Sequence, residues 1–185
     1  MKFLLISGNP KSGGLCRALE TAIENGARDG GAEVTRVTTG GVERCRVCGD
    51  GWGTCRDTHK CAFGAGAFDE LQTLAREADR IAIVTPVYWA EASEGLLAFL
   101  DKLRRCEAFG GDGLRGKPVL LAASPGGSGN GLVSALDQLE RFCKHTGANV
   151  FDFIGQNRWN AAYKQKAAYE AAKLLVTAPD NFGAR

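Results

Sequence analysis

Four cysteines crowd into one short stretch, Cys45, Cys48, Cys55 and Cys61, spaced C-x2-C-x6-C-x5-C. Thiolates that close in sequence suit a Zn²⁺ ion or a [4Fe–4S] cluster. The same spacing also fits free thiols in a glycine-rich loop, or a reversible disulfide. Three further segments have unusual chemistry. The first is Ser7-Gly8-Asn9-Pro10-Lys11-Ser12-Gly13-Gly14-Leu15-Cys16. Small residues running from a strand into a helix let backbone N–H groups converge on an anion, and Lys11 adds a positive charge. Gly14 stands where a Walker A loop needs Lys, and there is no GxGxxG pattern. The bland alternative is an ordinary glycine-rich turn. The second segment, Thr85-Pro86-Val87-Tyr88-Trp89-Ala90-Glu91-Ala92-Ser93, follows an apolar run and carries two adjacent aromatics, Tyr88 and Trp89. They form either one wall of a flat aromatic ligand or a contact with neighbouring loops or a partner subunit. The third, Ser124-Pro125-Gly126-Gly127 and onward to Gly131, has four glycines in six residues. It is either a place where a ligand approaches the backbone or a flexible loop.

These segments need elements to hold them, and the hydrophobic pattern supplies those elements. Lys2 to Ser7 and Arg80 to Thr85 are apolar runs that read as strands, and Glu33 to Thr38, Pro118 to Ala123 and Asn149 to Ile154 read as strands too. Between them, apolar residues recur at helical spacing. The first such stretch runs from Leu15 to Ala27, the second from Phe68 to Ala75 and the third from Leu96 to Leu103. Leu132 to Phe142 and Ala161 to Val176 complete the set. Strict alternation of strand and helix predicts a parallel sheet covered on both faces. Five strands fit the flavodoxin-like order 2-1-3-4-5, a three-layer α/β/α sandwich over residues 1–185, with a Cys-rich loop at 39–66. In such a sheet the three special segments all fall at the carboxyl ends of strands, where ligands bind.

Composition narrows the function. A chain of 185 residues with 44% hydrophobic and 24% charged residues folds around a real core. A net charge of +2 gives no field for nucleic acid. No stretch approaches the roughly 18 apolar residues of a membrane span. The apolar run at the start is too short for a signal peptide, so a cytoplasmic protein is expected. The two histidines, His59 and His145, make a His-based metal site or hydrolase a poor expectation, and both are expected in solvent. Cys143, on the apolar side of its helix, is expected in the core.

With those residues in place, the chain resembles the NADPH-dependent FMN reductase family and the related iron–sulfur flavoproteins. The resemblance rests on Gly8 to Gly14, on Thr85-Pro86-Val87-Tyr88-Trp89, on Asp101-Lys102-Leu103, on Ser124-Pro125-Gly126-Gly127 and on Asn157-Arg158-Trp159-Asn160. It implies that Asn9, Lys11, Ser12, Gly14, Leu15 and Cys16 bind the FMN phosphate. This chain has Leu15 and Cys16 where the family has Asn followed by Ser or Thr, so a thiol replaces a hydroxyl donor. Pro86, Val87, Tyr88 and Trp89 are then expected against the flavin ring, with Ser124, Gly126 and Gly127 on its far side. The iron–sulfur relatives place a compact motif where Cys45, Cys48, Cys55 and Cys61 lie, but two residues separate its second and third cysteines and six intervene here. The resemblance implies hydride transfer from NAD(P)H to flavin N5, with no catalytic side chain, and onward transfer to a flavin, quinone or other small-molecule acceptor. The alternative is an iron–sulfur flavoprotein that carries electrons between proteins. A homodimer or homotetramer is expected, with the Leu96–Leu103 helix and the aromatic tail either as its surfaces or packed in the core.

Overall fold

A computed structural model describes residues 1–127 and 129–179. Five parallel strands form the sheet: β1 (Lys2–Ser7), β2 (Glu33–Thr38), β3 (Arg80–Tyr88), β5 (Pro118–Pro125) and β6 (Asn149–Gly155). Their spatial order is β2-β1-β3-β5-β6, and a two-residue strand, β4 (Glu91–Ala92), pairs antiparallel with the end of β3. Counting the five parallel strands alone, this is the flavodoxin-like order expected from the alternation.

Each strand alternates side chains between two faces, and both faces are buried on the three inner strands β1, β3 and β5, whereas the edge strands β2 and β6 are largely exposed or half-buried. Leu4, Ile6, Ile81, Ile83, Val119 and Leu121 pack with α3 (Ala67–Glu77), α4 (Glu94–Glu107) and α5 (Leu132–Thr146). Phe3, Leu5, Ala82, Val84, Leu120 and Ala122 pack with α1 (Gly14–Asp29) and α6 (Ala161–Thr177). Burial on both faces explains why the inner strands read as continuous apolar runs, while the edge strands carry polar residues. Helices α1 and α6 cross closely at Gly26, where an added Cβ would stand 2.1 Å from the Tyr169 carbonyl oxygen.

Three features differ from the expected outline. Strand β3 runs on to Tyr88, so Pro86, Val87 and Tyr88 are strand residues, not loop residues. Pro86 lacks the N–H that signals a ladder position, and β4 is too short to show alternation. Trp89 and Ala90 join β3 to β4 with φ of 52° and 65°. Both are left-handed, as a type I′ hairpin turn demands, but neither is the Asn or Gly that adopts this conformation cheaply. Lastly, the Cys-rich segment holds one helical turn, α2 (Thr54–Asp57). That segment is fastened to α4 rather than free. Arg105 donates to the Gly51 carbonyl at 2.7 Å, and His59 Nδ1 lies 3.0 Å from the Cys106 carbonyl. His59, expected in solvent, is therefore half-buried, whereas His145 is exposed.

Candidate functional site

The first segment is shaped from below by a buried network. Ser7 Oγ donates to Glu20 Oε1 at 2.6 Å and accepts the Asn9 N–H at 3.1 Å. Arg17 pairs with the other Glu20 oxygen at 3.2 Å. This partner keeps an almost fully buried carboxylate tolerable. Asn9 Oδ1 then accepts the Lys11 N–H at 3.1 Å, which folds the chain back on itself. Helix α1 starts immediately afterwards. Its first turn has no acidic residue, and no side chain caps it. The unpaired N–H groups of that turn and the positive end of the helix dipole therefore face solvent at the sheet edge.

The second and third segments lie beside the first. Gly8 N–H donates to the Val84 carbonyl at 2.8 Å, next to Thr85 on β3. Pro86 is in register with Ser124, and Val87 with Pro125. Gln156, wholly buried at the end of β6, draws the edge together. Its Nε2 donates to the Leu15 carbonyl at 2.6 Å and to Ser124 Oγ at 3.1 Å.

Above this edge lies a cleft of about 770 Å³, within the usual range for a small-molecule site. Gly8, Asn9 and Pro10 form one wall, and Tyr88 and Trp89 another. Thr38, Thr39 and Gly40 after β2 and Ser93, Glu94 and Gly95 at the start of α4 complete it. Gly8 is required here, because a Cβ would stand 2.5 Å from Ser93 Oγ and 2.8 Å from Leu96 Cβ. Two buried polar atoms on the cleft residues, Asn9 Nδ2 and Ser93 Oγ, have no hydrogen-bond partner. Buried donors are normally paired, so both mark places where a ligand's acceptors belong. Trp89 is 99% exposed, a large aromatic surface left in water at the rim.

The expected site residues thus divide. Asn9, Tyr88 and Trp89 line the cleft. Lys11, Ser12 and Gly14 are exposed at the adjoining helix start, and Leu15 is half-buried. Cys16 turns its thiol inward to Glu20, 3.8 Å away, and burial followed by that carboxylate pushes the thiol pKa up. It has only its backbone to offer a ligand. Pro86 and Ser124 are buried, Val87 is half-buried, and Gly126 and Gly127 are exposed beyond β5. Gly126 and Gly127 do not line the cleft. Their loop meets the β3–β4 hairpin at Gly131, where a Cβ would stand 2.3 Å from Ala90 Cα.

Four contributors were given no role from the sequence, although Ser93 closes the second segment. Thr38–Gly40 follows a strand with a polar, glycine-ending turn. Ser93 precedes Glu94 and an apolar helix, the usual mark of a helix start. Glu20 and Gln156 carry no local signal, since their partners lie on other elements.

A second pocket lies under the Cys-rich segment. Cys45, Cys48, Cys55 and Cys61 all line it, joined by Cys106 from α4. Among the described residues, no three His, Cys, Asp or Glu side chains are already gathered as a metal ligand set. The thiols share one pocket without standing in ligating geometry.

A flavodoxin-like sheet with an uncapped helix start and an aromatic-walled cleft at its carboxyl edge defines a mononucleotide-binding class of fold. Residues 1–155 match the NADPH-dependent FMN reductase family, and the chain belongs to that family. Over 135 residues it is 34% identical to an iron–sulfur flavoprotein of Methanosarcina thermophila, covering 71% of this chain and 66% of that protein. The matched region thus spans just under two thirds of the relative's length. The structure is similar to NADH:FMN oxidoreductase (EMOB) in its apo form, with TM-score 0.68 and 20% identity over 94% of this chain and 88% of that one. It is also similar to a flavodoxin from the domain Archaea, with TM-score 0.59 and 16% identity over 95% and 99% of the two chains. No helix among the described residues is long and apolar enough to cross a membrane.

Proposed function

We propose that this protein oxidises NAD(P)H through an FMN held at the carboxyl edge of the sheet, and passes the electrons to a small oxidised acceptor such as a flavin or quinone. The observation that carries this reading is the cleft itself. It brings Asn9 of the first segment and the pair Tyr88 and Trp89 to one cavity beside an uncapped helix.

In this reading the N–H groups of Ser12 to Cys16 and the Lys11 ammonium hold the phosphate. Asn9 Nδ2 and Ser93 Oγ, unpaired as the chain stands, supply further donors. Tyr88 and Trp89 flank the ring and exclude water from it. Pro86 and Val87 set the height of the hairpin that carries them. Ser124, Gly126 and Gly127 offer backbone on the ring's far side. Bound FMN supplies hydride acceptance at N5, so no side chain is needed as acid or base. The exposed Trp89 and Trp159 mark the face where a second copy would cover the ring, in a homodimer or homotetramer.

A second reading makes the protein an electron carrier between partner proteins, with FMN and a thiolate-held iron–sulfur centre. The five thiols around one pocket favour it. The two readings separate in one assay of the purified flavoprotein. Rapid NAD(P)H oxidation with added FMN or quinone supports the reductase. Inertness to NAD(P)H together with reduction by ferredoxin supports the carrier.

A further inference from the structure

The carboxylate of Glu20 is buried beneath the loop that opens α1, with only 2% of the residue exposed. It is the first acidic residue of that helix. Ser7 Oγ donates to its Oε1 at 2.6 Å and in turn accepts the Asn9 N–H at 3.1 Å, so a single hydroxyl separates the carboxylate from the loop backbone. Cys16 Sγ lies 3.8 Å from the same oxygen. Arg17 Nη1 meets the other oxygen at 3.2 Å, and the Arg17 side chain keeps 30% of its surface in solvent. A donor on one oxygen and a cation on the other are the partners a buried carboxylate needs.

The shape of the loop does not call for a charge here, because a glutamine oxygen would accept from Ser7 equally well. What only a carboxylate brings is negative charge under the loop. On the same loop Asn9 Nδ2 is buried without a hydrogen-bond partner, in a residue 8% exposed. Independently of the helix start, that orphan donor marks where the acceptor atoms of a ligand belong. An anion bound there is drawn by the α1 N–H groups and by Lys11, and opposed by Glu20 from below. Arg17, the one cation in the opening turn of α1, is engaged by Glu20 and so withheld from that anion.

We propose that Glu20 sets the charge preference of the flavin cleft: holding Arg17 in its ion pair, it lessens the advantage that a 5′-phosphate gives FMN over riboflavin. The inference rests on the flavin reading above and adds to it a specificity-determining residue beneath the loop. A phosphate monoester carries roughly two negative charges near neutrality, whereas the terminal hydroxyl of riboflavin carries none. The buried carboxylate therefore acts on one flavin and leaves the other untouched, and the low dielectric under the loop strengthens its effect. The N–H groups and Lys11 still outweigh it. The site takes both flavins, with the phosphorylated one ahead.

The test titrates the flavin-free full chain with FMN and with riboflavin, follows flavin fluorescence, and compares the ratio of the two affinities. Glu20→Gln keeps an acceptor for Ser7, removes the charge and releases Arg17. Its FMN affinity is expected to rise about threefold or more, with riboflavin affinity unchanged. Arg17→Gln leaves the carboxylate unopposed, so its FMN-to-riboflavin ratio is expected to fall. A purely structural role for Glu20 would weaken or spare both flavins together. An unchanged or smaller ratio in Glu20→Gln overturns the inference, while FMN binding by the wild type leaves the flavin reading standing. A ratio that rises in Arg17→Gln overturns it too. A wild-type protein that binds neither flavin removes the flavin reading, and this inference with it.

Discussion

Gly14 has φ of 85°, with open space where a Cβ would point, at the first residue of α1. Any side chain there meets backbone strain, but only a charged one meets an anion held by the helix start. Asp and Asn have nearly the same shape and tolerate the left-handed conformation best among side chains. Gly14→Asp is therefore expected to bind FMN about tenfold or more weakly than Gly14→Asn. A like charge near the phosphate costs ~1–4 kcal/mol, depending on exposure. Riboflavin, lacking the phosphate, should bind both variants equally in a fluorescence titration. Equal loss of both ligands would remove the phosphate from this loop. At this scale Asn9, Tyr88 and Trp89 were legible because turn residues and paired aromatics after an apolar run are local signals. The inward turn of Cys16 was not, since it depends on the buried carboxylate of Glu20, one helical turn further on. The fifth thiol, Cys106, was equally hidden. It looks isolated in the sequence and meets the others only through the packing of α4.

The strand ends are held together by Gln156, and this defines what β6 contributes. Its amide bridges the Leu15 carbonyl and Ser124 Oγ, and its Oε1 accepts from Gln165 of α6 at 3.3 Å. Gln156→Ala removes these hydrogen bonds at the sheet edge. It is expected to destabilise the fold by about 1–3 kcal/mol, read as a lower denaturant midpoint. FMN affinity should fall with it, because the α1 start loses its tie to β5. An unchanged midpoint would show that the bridge is not made in solution. The three inner strands were readable because burial on both faces leaves unbroken apolar runs, and the edge strands β2 and β6, more polar and exposed, were readable from the alternation with helices. The β3–β4 hairpin was not readable, because its turn is Trp89-Ala90 rather than a glycine-bearing pair. The third segment was placed on the correct edge but not in the cleft. One of its glycines, Gly131, instead admits the hairpin at Ala90.

Buried thiols give the whole molecule a characteristic response to base. Burial pushes the Cys106 and Cys143 thiols up to about 12 and raises Cys16 as well. In the unfolded chain the same groups ionise near ~8.5. Above that pH the unfolded state binds fewer protons than the folded state, so stability falls as pH rises. Lys117, lowered by burial, acts in the opposite sense, but it is one group against these three thiols and Cys55, which burial also raises. Denaturation free energy is therefore expected to be flat near neutrality and to decline from about pH 8.5. The slope should be shallower in Cys143→Ala. A stability that rises through this range would contradict the burial of these thiols.

The central claim is that one cavity at the carboxyl edge of the sheet takes FMN, with its phosphate on the α1 start and its ring against Tyr88 and Trp89. The most direct measurement is titration of the flavin-free protein with FMN, followed by Trp and flavin fluorescence. Saturable binding at one FMN per chain, with riboflavin much weaker and with Trp emission quenched in wild type but less so in Trp89→Phe, is the expected result. A protein that takes up no FMN, or that binds FMN and riboflavin equally with Trp emission unchanged, would contradict it.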